Sequence, residues 1–229
     1  MFFNNSNITR LILVCGLVNL IACASKPAVV KPSSAQVQEE LVYKQEKTQF
    51  EQALALINAE NTQEEDLLKA KAILDSLYSA NNAYLGALIN SADVSFRLTK
   101  LDEAKVLYLS VLEKIEDQKT NNNTSGQALS EHINTFSLHA YNQLGLIERQ
   151  QGRFEEAEHF YKQALDLNNE HPVTLKNLAI LLDLYRGKLK EALALYEQYQ
   201  GIVGDSDPKI KDWVFDLKNR IPQEEASNE

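Results

Sequence analysis

Histidines are the side chains best able to move a proton or hold a metal near neutral pH. The chain has four: His132, His139, His159 and His171. His132 and His139 stand seven positions apart and can share one helical face. Neither sits in an HExxH pattern, and no Cys accompanies them to complete a zinc ligand set. A phosphate-cradling Gly-rich loop and a Gly-x-Ser-x-Gly nucleophile turn are both missing from the sequence. The acidic pairs Asp102-Glu103 and Glu155-Glu156 each open a helical pattern, where negative charge complements the positive end of the macrodipole. The expectation is a protein that is no enzyme and holds neither metal nor cofactor.

Side chains suited to binding are more regularly placed. Asn90, Gln143 and Asn177 carry primary amides, which can both donate to and accept from an extended peptide backbone. Each lies in a helical pattern followed by a second one. The clearest pair runs from Leu138 to Pro172. Tyr141, Leu144 and Ile147 mark one apolar face, Gly152-Arg153 interrupts it, and Phe154, Ala157, Phe160 or Tyr161, Ala164 and Leu165 mark the next. Small residues, Gly145, Ala157 and Ala164, sit where helices cross closely at roughly 8–10 Å between axes.

Equivalent pairs recur. Ala70 to Ala104 is 34 residues, Ala157 to Ala192 is 35, and Ala104 to Ala157 is 53, with the surplus falling at 119–137. The KTNNNTSG stretch there reads as a disordered loop, and residues 127–137 lengthen the helix that follows. The first pair departs most: Ile57-Asn58 stands in the place of Leu-Gly, and a capping box, Thr62 to Glu65, opens its second helix. Asp205-Ser-Asp-Pro208 starts a last helix with Ile210, Trp213, Val214 and Leu217 on one face, suited to covering the end of a stack.

This order of aromatic, Leu-Gly, turn Gly, Ala, Tyr and Ala resembles the tetratricopeptide (TPR) repeat over about Phe50 to Tyr199. The resemblance implies an all-α, TPR-type helical-hairpin solenoid of about four repeats with a C-terminal capping helix. It also implies a groove lined by the first helix of each pair. Repeat register places Asn90, Asp93 and Arg97 there, then His139, Asn142, Gln143, Leu146 and Arg149, then Lys176, Asn177, Ile180 and Asp183. The partner-binding candidates are Asn90, Arg97, Asn142, Gln143, Arg149, Lys176 and Asn177. Glu148 replaces an aromatic of the family pattern, and the full carboxylate clamp of peptide-binding members is not matched.

The amino-terminal stretch reads differently. Leu11 to Ile21 is an apolar run, short for a bilayer span, behind Arg10. Its end, Leu20-Ile21-Ala22-Cys23, resembles the bacterial lipobox. That resemblance implies a signal peptide over 1–22, a diacylglyceryl group on Cys23 and acylation, of the palmitate kind, at the new amino terminus. The other readings are an uncleaved anchor or an ordinary secretory signal. Cys15 leaves with the signal, so Cys23 has no disulfide partner in the mature chain. Residues 23–34 carry two prolines and three serines and read as a flexible tether. The solenoid is expected over 35–221 and a disordered tail over 222–229.

Ala24 follows Cys23 where the lipoprotein family uses Asp for inner-membrane retention, which implies the outer membrane, facing the periplasm. The net charge of −9, from 23 basic and 32 acidic residues, argues against nucleic acid. The expected partner is a periplasmic or envelope protein or peptide, with the lipid on Cys23 as membrane contact. The expected role is a scaffold or adaptor for envelope machinery, in pilus assembly or as a TonB-type transport accessory. A regulator of peptidoglycan hydrolases is the alternative.

Overall fold

A computed structural model of the chain describes residues 33–81, 84–121 and 127–227. The segment expected to be a signal peptide, Cys23 and most of the expected tether therefore lie outside the described residues, as do 122–126 of the central loop. The chain divides into residues 1–40 and residues 41–229. In the first unit the described part is the start of α1 (Ser34–Ile57), where Ser33 and Gln36 cap each other: Ser33 N donates to Gln36 Oε1 at 2.8 Å, and Gln36 N to Ser33 Oγ at 3.2 Å.

The second unit is an all-α stack of hairpins. After α1 come α2 (Glu64–Ala80), α3 (Leu85–Arg97), α4 (Leu101–Asn121), α5 (Gln127–Gln150), α6 (Phe154–Leu167), α7 (Pro172–Leu184), α8 (Leu189–Val203) and α9 (Lys209–Ser227). No strand occurs among the described residues. Successive helices pair as neighbours along the chain, and α9 closes the end on α8 with Ile210, Val214 and Leu217 buried against Tyr196 and Tyr199. This is a TPR-type solenoid of four hairpins with a capping helix.

Three features build the repeat. Ala70, Ala104, Ala157 and Ala192 are fully buried, so each second helix can approach its first helix closely. Four residues later, Tyr108, Tyr161 and Tyr196 are buried in the same register. Tyr161 fills the gap beside the small residue of its first helix, Gly145, and at the equivalent positions Tyr108 and Tyr196 share a buried cluster with Ala92 and Ala179. At Gly145 the fit is tightest, since a Cβ there would stand 2.6 Å from the Tyr161 ring. Of the two aromatic candidates in α6, Tyr161 is the core residue, and Phe160 is partly buried beside Tyr141.

The hairpin turns share one backbone device. Thr99, Gly152 and Gly187 occupy the left-handed region at φ 59°, 75° and 64°. The next residue then reaches back over the helix end: Lys100 N donates to Ser95 O, Arg153 N to Glu148 O and Lys188 N to Leu182 O, at 2.9–3.0 Å.

Four sequence expectations are corrected. The small residue of the first pair is the fully buried Ala53, not Asn58, because α1 ends at Ile57 and a longer connection follows. The helix-start pairing is shifted by one: Asp66 accepts from Gln63 N at 3.1 Å, while the Thr62 hydroxyl donates to carbonyls near the end of α1, reaching Ala59 O at 2.7 Å. The central loop begins later than Lys119, since α4 continues to Asn121. Finally, α9 runs on to Ser227 through most of the segment expected to be tail, as the helix-favouring Glu and Ala there allow.

Candidate functional site

The candidate binding residues lie on α3, α5 and α7, the first helices of hairpins two to four. Asn90 is partly buried and turns its amide to its own helix, donating to Gly86 O at 2.7 Å. Arg97 donates to Ile57 O at 2.7 Å, tying the end of α3 to the end of α1. Asp93 receives the Tyr108 hydroxyl and faces His139 Nε2 at 2.6 Å, which couples α3, α4 and α5.

Asn142 and Asn177 are brought together. Asn142 is buried, and its Oδ1 accepts from Asn177 Nδ2 at 3.2 Å and from Thr174 Oγ1 at 3.1 Å. Lys176 points to the capped end: its Nζ is 2.6 Å from Asp207 and lies over the rings of Tyr199 and Trp213, 5.5 and 5.4 Å from their centroids. The Lys176 hydrogen bond, then that of Tyr199, holds the Asp207 carboxyl below its ordinary range. Asp183 is paired with Arg220 of α9 at 2.9 Å.

Gln143 and Arg149 differ from these. Both side chains are partly exposed, yet Gln143 Oε1 and Arg149 Nη1 are buried atoms with no hydrogen-bond partner. The hydroxyl of the fully buried Tyr161 is also unpartnered. Burial first raises the Tyr161 hydroxyl to about 12, against a smaller opposing effect of Arg149. A buried polar atom without a partner costs about 1–3 kcal/mol, so these positions gain most from an incoming donor or acceptor.

The sequence reading missed the ion pairs that join one hairpin to the next. Lys71, Lys105 and Glu158 each follow the buried Ala of their second helix by one position. Each reaches the next hairpin. Lys71 Nζ is 2.8 Å from Asp75 and 2.8 Å from Glu103; Lys105 Nζ is 2.8 Å from Glu148; Glu158 meets Lys188 at 2.7 Å and Arg186 at 3.2 Å. Lys162, on the same helix as Glu158, adds a third cation at 2.7 Å. Glu148, fully buried, also takes Arg153 of its own turn.

Burial alone would raise both carboxyls. At Glu158 it is outweighed by Lys162 and Lys188, which bring the group down to about 2. At Glu148 Arg153 and Lys105 outweigh it, and the shift is downward. Lys71 likewise moves up despite burial, because Asp75 and Glu103 hold its charge. A charged residue directly after the repeat's small Ala was the available signal. Glu148 shows in the sequence only as a missing aromatic.

Among the described residues, no group of three His, Cys, Asp or Glu side chains is placed to hold a metal ion. His132 lies outside the described side chains. No described helix is long and apolar enough to cross a membrane. An open depression between α1 and α2, lined by apolar Ala55, Leu56, Ala59, Ala72 and Ile73 with polar Gln52, Asp66 and Lys69, includes none of the candidate residues.

Residues 136–202 match the tetratricopeptide repeat family. Solved structures agree on the fold. The MamA protein superposes with a TM-score of 0.56 at 13% identity, covering 77% of this chain and 84% of MamA. MamA of Desulfovibrio magneticus RS-1 gives 0.53 at 15%, over 76% and 85%. YrrB, described as a TPR protein with an unusual peptide-binding site, gives 0.51 at 16%, over 75% and 74%. No curated protein matches the chain in sequence.

Proposed function

We propose that this chain is a membrane-tethered adaptor that holds an extended segment of an envelope protein along its row of first helices. The observation that carries the reading is the pair Gln143 and Arg149. Asn142, Lys176, Asn177 and Asp183 are committed to partners on other elements, while these two keep buried polar atoms without hydrogen-bond partners. An amide oxygen takes a peptide N–H, and a guanidinium takes a carbonyl or carboxylate. The peptide-binding site of YrrB, which shares the fold, supports this use of it. The adaptor itself does no chemistry.

The lipid on Cys23 would supply the tether and the outer membrane its place, with the residues up to Ser34 as spacer. The partner would belong to pilus assembly or TonB-type transport. Two chains or more make a firm anchor where a single acyl chain is marginal. Changing Cys23 to Ala should release the protein from sedimented membranes, and unchanged sedimentation would remove the anchor from the proposal.

Peptide-display selection against the full chain tests the groove. Selected peptides should shift the NMR signals of the Gln143 and Arg149 side chains, and Arg149→Ala should weaken their binding about tenfold or more. Equal binding by Arg149→Ala, with shifts confined to other helices, would refute it.

A further inference from the structure

His171 stands immediately before α7 and caps that helix with its ring. Its Nδ1 lies 3.4 Å from the Thr174 backbone nitrogen, which donates to it, and 2.8 Å from Thr174 Oγ1. A ring nitrogen accepts an N–H only while it keeps its lone pair, so this cap needs the neutral ring with its proton on Nε2. The same Thr174 hydroxyl reaches Asn142 Oδ1 at 3.1 Å, and Asn177 Nδ2 reaches that oxygen at 3.2 Å. One short chain of polar atoms thus runs from the cap of α7 to the amides that join α5 to α7.

The surroundings of the ring disfavour a charge. Burial is the larger effect and the charge of His139 the smaller; together they hold His171 below the ordinary 6.5. His139 faces it from α5 and is itself set against Asp93 of α3 at 2.6 Å. From α5 and α7 the polar neighbours Asn142, Thr174 and Asn177 are uncharged. Among the described residues no carboxylate pairs with His171.

We propose that His171 is an acid-sensitive cap at the start of the fourth hairpin, whose protonation takes the acceptor from the Thr174 backbone N–H and so uncaps α7. On protonation Nδ1–H becomes a donor and turns to Thr174 Oγ1. The Thr174 backbone N–H then loses its acceptor. A positive charge is also left at the positive end of the α7 macrodipole, where it is unfavourable. The sign follows from the lowered value. Stability given by the neutral cap is complete above pH 6.5 and is lost as pH falls from there through the folded-state value of His171.

His171→Asn provides the test, because Asn caps a helix well and does not titrate. Thermal melts of the full chain and of His171→Asn are compared from about pH 7.5 to about pH 5, across the titration range of a histidine. The native chain should lose melting temperature relative to His171→Asn as pH falls. Parallel curves would overturn the proposal. Hydrogen exchange of the native chain gives a second reading, independent of the variant's folding. Protection at the Thr174 and Leu175 amides should fall by up to about tenfold per pH unit once the ring titrates. Protection that stays constant, or falls equally in α3 and α5, would also overturn it.

Discussion

Replacing Gly145 by Ala sets two effects of known sign against each other. In an exposed helix interior Ala is better than Gly by about 1 kcal/mol, since it restricts the unfolded chain. Gly201 of α8 is such a place, with nothing within 4 Å of where the new methyl group would stand. At Gly145 the new Cβ would meet Cδ1 and Cε1 of Tyr161 at 2.6 Å and Cγ at 3.0 Å. Real carbon contacts lie near 3.5–4.0 Å, so something must move by nearly an ångström. Tyr161 cannot retreat into solvent, because its whole side chain is buried between α5, α6 and α7. Overpacking of this kind costs about 1–3 kcal/mol.

Gly145→Ala should therefore be net destabilising by up to about 2 kcal/mol, while Gly201→Ala is neutral or stabilising. The gap between the two variants is about 1–3 kcal/mol, which for a chain of this size is roughly 2–12 °C in melting temperature. Circular dichroism melts of both variants and the native chain measure it. Repeat proteins can unfold in stages, so urea curves followed in parallel by Tyr and Trp fluorescence should show whether the loss sits in the third hairpin. Equal stability of Gly145→Ala and Gly201→Ala would refute the close approach of α5 and α6 as the reason for this glycine.

Two further outcomes follow from the same packing. Glu158→Gln should destabilise the chain at neutral pH, and the deficit should close as pH falls from the ordinary 4.5 towards about 2, where native Glu158 is itself protonated; chemical denaturation at stepped pH measures it, and a constant deficit would contradict the role of charge. Thr99→Gly should stabilise by about 0.5–1 kcal/mol, because Thr99 holds φ at 59° in an exposed turn where its counterparts are glycines; an unchanged melting temperature would show that the turn is not strained.

The hairpin fold could be read from the chain because its signals are local and repeated. Ala70, Ala104, Ala157 and Ala192 set the period, and the turn glycines Gly152 and Gly187 mark where helices end. Hairpin one is misplaced by the same rule because Asn58 sits at the right distance from Ala70, while the longer connection moves the true small residue back to Ala53. A spacing rule cannot see an insertion inside a turn.

The binding row was legible only in part. Register predicts which way a residue faces along its helix, and it puts Asn142 and Asn177 on adjacent first helices. It does not predict that they bond to each other, or that Asp207 from beyond the far end of α8 reaches Lys176. Such contacts depend on the offset between hairpins, which no single repeat encodes. The ion pairs between hairpins escaped for a related reason. A charge beside a core alanine looks solvent-facing on its own helix, and only the neighbouring hairpin supplies its counter-ion.

The order of hairpins is written in those ions. Lys71 and Lys105 offer a cation to the hairpin that follows, whereas Glu158 offers an anion and meets Arg186 and Lys188. Seated directly after α4, the final hairpin would bring Lys105 against Arg186 and Lys188, a meeting of like charges with no carboxylate between them. Hairpins that look alike in outline are thus not interchangeable. A chain that skipped a unit during folding, or lent its last unit to a second copy out of turn, would meet repulsion at the joint instead of a lock.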